Sequence, residues 1–151
     1  GTNNLEVGIG NSTTGLAIIN RKSALNIISV KNGITTRVGN VASGSQTIAH
    51  GLGTTPLFVR ITARKLVVTN DLTYSDGVYN GTTMSCVYTT PNTSSDASAD
   101  AISTAIIHIQ DSSGNTQVAT VTVDATNITL SWTLTGTPTA NDLKIMWEAF
   151  A

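Results

Sequence analysis

The sequence predicts an all-β protein, an antiparallel β-sandwich of jelly-roll or lectin-like type preceded by a short β-rich stem. Three observations point there. Apolar and polar residues alternate with period two in one run after another, the mark of strands with one buried face, whereas helical spacing is almost absent. Clusters of Gly, Ser, Thr and Asn separate the runs. The chain has 151 residues, of which 40% are hydrophobic and only 11% charged, enough apolar material for one sandwich core. An ordinary soluble domain is about 25% charged, so hydroxyls and amides must solvate much of this surface.

The first forty residues carry short strand candidates, Leu5–Ile9, Leu16–Ile19, Leu25–Val30 and Ile34–Val38. Asn11–Gly15 and Lys31-Asn32-Gly33 read as the turns between them, Asn-Gly being a strong hairpin signal. Such pieces bury little apolar surface alone. They suit a stem, residues 1–43, whose apolar positions meet copies of themselves around an axis, with a hinge at Gly39–Gly44. The sandwich then occupies 44–151.

Within it, Leu57–Val68 reads as a long strand with Val59, Ile61 and Ala63 on one face and Arg60, Thr62 and Arg64 on the other. Thr69–Thr83 and Thr89–Ala101, rich in turn residues, read as long loops, the kind of segment that tends to carry function. Ile102–Gln110 reads as a further strand. Val121–Val123 ends another, Asp124–Asn127 supplies a turn, and Ile128–Thr135 alternates strictly, which makes a hairpin. Leu143–Phe150 closes the chain with Lys144 and Glu148 outward. Trp132 and Trp147 fall on core faces.

The net charge of −1 offers no purchase on nucleic acid or on anionic lipid. No apolar run is long enough to span a bilayer, and no basic-then-apolar start resembles a signal peptide. The chain opens on Gly1 without a Met, which reads as a processed or partial chain. With one cysteine, Cys86, an intrachain disulfide and a cysteine-based zinc cluster are both out of reach, and the thiol reads as buried and inert.

Catalytic patterns are missing. His50 and His108 are the two histidines available as bases, and no Gly-x-Ser-x-Gly elbow accompanies either. Asp71, Asp76, Asp96, Asp100 and Asp111 fall in or beside expected loops, where solvation explains them better than a glycosidase pair does. No metal-ligand spacing occurs, and Gly8-Ile9-Gly10 precedes no helix, so neither metal nor cofactor is expected. His50 reads as a hydrogen-bonding brace in a turn.

The run Gly44-Ser-Gln-Thr-Ile-Ala-His50-Gly51-Leu52-Gly53-Thr-Thr-Pro56-Leu-Phe-Val-Arg-Ile61 resembles a motif of the C-terminal domains of phage tail fibres and related virion proteins, which are similar to H-type lectin domains. The Lys144-Ile-Met-Trp147-Glu-Ala strand matches the Trp-containing strand that ends such domains. The resemblance covers about residues 44–151. It implies a non-enzymatic homotrimer on a virion surface, joined to other virion proteins on its N-terminal side and docking on a host cell-surface glycan or other receptor. A purely structural virion component, such as a decoration, collar or fibre-connecting piece, is the alternative.

Sugar binding in a neutral module needs an aromatic face to stack on a pyranose and amides or carboxylates to meet its hydroxyls. Tyr74, Asp76, Tyr79 and Asn80 in the first long loop supply both, with Tyr88 on the next strand. Packing of the tyrosines against the core or a trimer seam competes with that role.

Overall fold

A computed structural model describes residues 28–68, 71–90 and 98–151 of the chain. Ten strands follow one another: β1 (Val30–Val38), β2 (Gly44–Ala49), β3 (Phe58–Val68), β4 (Asp71–Tyr79), β5 (Met84–Thr90), β6 (Ser98–Ile102), β7 (Ile107–Ser112), β8 (Asn115–Val123), β9 (Asn127–Thr135) and β10 (Asp142–Phe150). They form two antiparallel sheets, one of six strands in the order β1-β10-β3-β4-β5-β6 and one of four in the order β2-β9-β8-β7. The sheets pack face to face, and the protein is an all-β sandwich.

Alternation dictates the core. β10 reads Asp-Leu-Lys-Ile-Met-Trp-Glu-Ala-Phe, and its residues 143, 145, 147 and 149 are all buried while 142, 144, 146 and 148 face solvent. β9 contributes Ile128, Leu130 and Trp132 from the opposing sheet, and Val59, Ile61 and Ala63 of β3 complete the layer between them. Each buried Ile, Leu or Val is worth roughly 1.5–3 kcal/mol of transfer free energy. Both tryptophans lie in this core, as the sequence indicates.

Two turn expectations fail for steric reasons. Asn32-Gly33 is not a hairpin turn, because β1 runs through it and pairs with β10 from Val30↔Phe150 to Val38↔Asp142. Gly33 is needed in mid-strand, since a Cβ there would stand 2.8 Å from the Trp147 ring. Nor is the stretch 69–83 one long loop: Asp71–Tyr79 is β4, hydrogen-bonded to β3 and β5. Its inward positions ahead of Tyr79 include Thr73, Ser75 and Gly77, small or polar residues that hide the alternation. At Gly77 the size is imposed by the segment leading into β7, since a Cβ there would collide with the Ile106 carbonyl oxygen.

Of the other expected elements, the β8–β9 hairpin forms with Asp124 as its turn cap, the carboxylate accepting from the N–H groups of Thr126 and Asn127. The expected strand Ile102–Gln110 is interrupted, Ile102 ending β6 and Ile107 starting β7. Of the expected stem, residues 30–38 are β1, and its residues 1–27 lie outside the described residues. The expected loop 89–101 contributes residues to β5 and β6, and its residues 91–97 lie outside them too.

At one end of the sandwich a charged pair is enclosed. Lys65 on β3 is fully buried, and its ammonium donates to Asp111 Oδ2 at 2.7 Å and to the Thr139 carbonyl at 2.8 Å. Thr139 returns its N–H to the same carboxylate oxygen at 2.6 Å. One pair thus ties β3, β7 and the β9–β10 connection together. Gly39 closes over the ammonium, where a Cβ would collide with Lys65 Nζ. Removing one partner of such a pair strands a charge in a low-dielectric interior, whereas an apolar replacement of both costs little. Asp111→Ala is expected to lower unfolding free energy in urea by about 3–5 kcal/mol, and the double substitution Lys65→Met with Asp111→Leu to recover most of that loss.

Candidate recognition surface

The outer face of the six-stranded sheet is open to solvent, and strand register arranges its side chains in rows. A central row runs Ile34, Met146, Thr62, Asp76 and Val87 across five strands. Beside it on one side stand Asn32, Glu148, Arg60, Val78 and Ser85, and on the other Thr36, Lys144, Arg64 and Tyr74. Ile34 is 72% exposed, Met146 53% and Val87 51%. An outward β-strand position normally carries a polar residue. Apolar side chains left exposed side by side, as Ile34 and Met146 are, mark a surface that contacts something.

Two shallow recesses flank the Ile34–Met146 pair and share it as a ridge. One, of about 370 Å³, is bordered by Asn32, Arg60, Thr62 and Glu148. The other, of about 680 Å³, is bordered by Arg64, Asn141, Asp142 and Lys144. Both volumes fall in the range of small-ligand sites, roughly 300–1,000 Å³.

The charges on this face are held in different ways. Arg60 makes a two-pronged contact with Asp76, Nε to Oδ1 at 3.1 Å and Nη2 to Oδ2 at 2.8 Å, and the Thr62 hydroxyl adds a third bond at 3.2 Å. The hydrogen bonds from Arg60 hold the Asp76 carboxyl below its ordinary range, and burial opposes them. Asp142 meets Lys144 at 3.3 Å, both side chains about half exposed. Arg64 has no hydrogen-bond or ion-pair partner among the described residues.

Of the residues singled out for sugar contact, Tyr74 and Asp76 point outward from β4, on this face. Asp76 is already engaged by Arg60. Tyr79 points inward from the same strand and donates its hydroxyl to the Gly81 carbonyl at 2.8 Å, while the Asn80 side-chain oxygen caps the β4–β5 turn, accepting from the N–H and hydroxyl groups of Thr82 and Thr83. Tyr88 is buried on the inner side of β5, its ring stacked on His108 with centroids 3.9 Å apart and its hydroxyl donating to Asp100. The structure therefore does not bring the five together. Ile34, Met146 and Arg64 were not among them, and the signal that could have found them is the pairing of β1 with β10, which only tertiary structure reveals.

The two histidines have separate structural settings. His50 is buried at the Gly51–Gly53 corner, where both glycines adopt positive φ. Its Nδ1 accepts from the Leu52 N–H at 3.2 Å, which leaves the proton on Nε2 to be donated to the Asp124 carbonyl at 3.0 Å. His50 braces the β2–β3 connection against the β8–β9 turn, as the sequence reading holds. Neither ring nitrogen of His108 has a hydrogen-bond partner among the described residues, and burial pushes its pKa down against a weaker upward pull from Asp100. Cys86 lies on the inner side of β5, and burial raises its thiol pKa, consistent with an unreactive sulfur. No three His, Cys, Asp or Glu side chains converge among the described residues.

No protein-family model matches the chain, and neither a curated protein nor a solved structure matches it. What the fold and this surface define is a class, a two-sheet β module presenting an open sheet face with an apolar ridge.

Because the folded state keeps His108 neutral more strongly than the unfolded chain does, the unfolded state gains the proton first as pH falls below the ordinary value of 6.5. The stability due to this group is complete above that pH and is lost on acidification toward the lowered folded value. Thermal unfolding followed from about pH 7 to about pH 5 should show a decline that His108→Phe, which keeps a ring against Tyr88, makes shallower. An unaltered decline in the variant would count against His108 as its source.

Proposed function

We propose that this chain is the receptor-binding tip of a phage-type tail fibre, a non-enzymatic, lectin-like homotrimer that attaches a virion to carbohydrate on a host cell surface. The observation that carries the reading is the exposed pair Ile34 and Met146 between recesses edged with Asn32, Arg60, Glu148, Arg64 and Lys144. A saccharide ring has apolar faces and a hydroxyl rim, and a ridge of aliphatic side chains bordered by amides and charges matches that amphipathy. Tyr74, projecting from the neighbouring strand, adds an aromatic ring within the same face.

The resemblance of the His50-to-Pro56 corner and of the Trp147 strand to virion fibre domains supports the same assignment. A low content of charge with a Thr-, Ser- and Asn-rich surface suits a module that meets polysaccharide. The mechanism is avidity: three weak sites on one rigid body, joined on their N-terminal side, bind together far more tightly than one. Sheet-borne contacts serve this well, since they do not need ordering at each encounter.

Light scattering of the full chain should return three times the 15.7 kDa of one subunit. Immobilised host-surface oligosaccharides should retain the trimer, and Tyr74→Ala should weaken retention by about 1–2 kcal/mol without changing the mass. A monomer, or a trimer retained by no carbohydrate, would rule the reading out in its first or second part respectively.

A further inference from the structure

We infer that the ligand of this face is anionic, a saccharide whose acidic group seats on Arg64 and Lys144 while its ring lies along the Ile34–Met146 ridge. The inference rests on the attachment reading above and names the ligand class of the same surface.

Three basic side chains stand on the outer face of β3 and β10, Arg60, Arg64 and Lys144. Arg60 is neutralised in place, its planar guanidinium fitted to both oxygens of Asp76. A ligand carboxylate arriving there would have to displace an ion pair whose geometry is already bidentate. Arg64 lies two residues along the same strand face and has no such partner among the described residues. Directly across from it on β10 is Lys144, by the register Lys144↔Arg64, and across on β4 is Tyr74, by Arg64↔Tyr74.

Neighbouring strands are about 4.8 Å apart, so Lys144, Arg64 and Tyr74 form a row roughly 10 Å long, the span of one to two sugar residues. Among the described residues Lys144 is held by Asp142, at 3.3 Å, in a pair whose side chains are 55% and 54% exposed. An exposed pair of that kind has little strength of its own and yields readily to a better-placed anion. The open recess of about 680 Å³ lies against this row, with Ile34 and Met146 forming its apolar side. An unpaired guanidinium fork, a second cation next to it, an aromatic ring one strand away and an aliphatic wall together complement a charged and amphipathic ring. A neutral sugar would leave the guanidinium fork without an anion.

A carboxylate, as in a uronic acid, and a phosphodiester, as in a glycerol phosphate polymer, share this chemistry. The experiment measures binding of the full chain to oligogalacturonate, to its carboxyl-reduced neutral counterpart, and to a glycerol phosphate polymer. At least one acidic probe is expected to bind ten-fold or more tightly than the neutral one, with affinity falling as salt rises. Arg64→Ala should remove that preference and Arg64→Lys restore part of it. Both changes are on an exposed side chain, so the mass and the melting temperature should not move. Equal binding of acidic and neutral probes, or an acidic preference that survives Arg64→Ala, overturns the inference and leaves attachment standing. Loss of all saccharide binding in the unaltered chain removes both. A fall in mass on Ile34→Asp overturns it as well, by assigning the ridge to a contact between copies.

Discussion

β10 is bonded along both of its edges, and its two-residue alternation decides both surfaces of the larger sheet at once. Leu143, Ile145, Trp147 and Ala149 go into the core because Asp142, Lys144, Met146 and Glu148 do not. A slip of one residue would exchange the two sets completely, turning the indole to solvent and three charged side chains inward. The register against β1 on one side and β3 on the other is therefore under the full constraint of burial. The rows of the recognition face are a by-product of that constraint, since Arg60, Arg64, Ile34 and Thr36 take their places by pairing with residues whose orientation the core has already chosen.

Where the strands come closest, side-chain volume is what yields. Gly33 lets the Trp147 ring lie against β1, and Gly77 lets the Ile106 carbonyl approach β4. Ser75 satisfies the otherwise unpaired N–H of His108 at the β7 edge, at 3.1 Å. These small residues join the margins of the two sheets in ways that a larger hydrophobic residue would block. At the Lys65 end the join is electrostatic instead, with one carboxylate oxygen receiving the ammonium of one strand and the N–H of a loop. An interaction of that kind contributes geometry more surely than net stability, because both ions lose their water.

Polar side chains divide into those consumed by the fold and those left for contact. Asn80 and Asp124 are consumed as turn caps, His50 as a brace, and Tyr88 as a stacking and hydrogen-bonding partner inside the sandwich. Arg60 and Asp76 neutralise one another. What is left on the open face includes Arg64, Lys144 with a loosely held counter-charge, Tyr74, Asn32 and Glu148. The functional reading depends on this remainder more than on the abundance of Asn, Thr and Tyr in the sequence.

The sequence by itself determined the all-β class, the strands β3, β8, β9 and β10, the inward tryptophans and the bracing role of His50, because each follows from a local pattern: alternation, a turn residue in its place, or a histidine beside two glycines. It misread Asn32-Gly33 and the 71–79 segment, where Gly, Ser and Thr mean turn locally but mean clearance once a distant indole or carbonyl is beside them. Only the tertiary structure decided that β10 enters between β1 and β3, and with it which residues share the outer face. Ile34 and Met146 are 112 positions apart in the chain, and no periodicity within either strand encodes that they stand side by side. Strand pairing is a long-range choice, made by the joint burial of both sheets' inner faces rather than by any short run of residues.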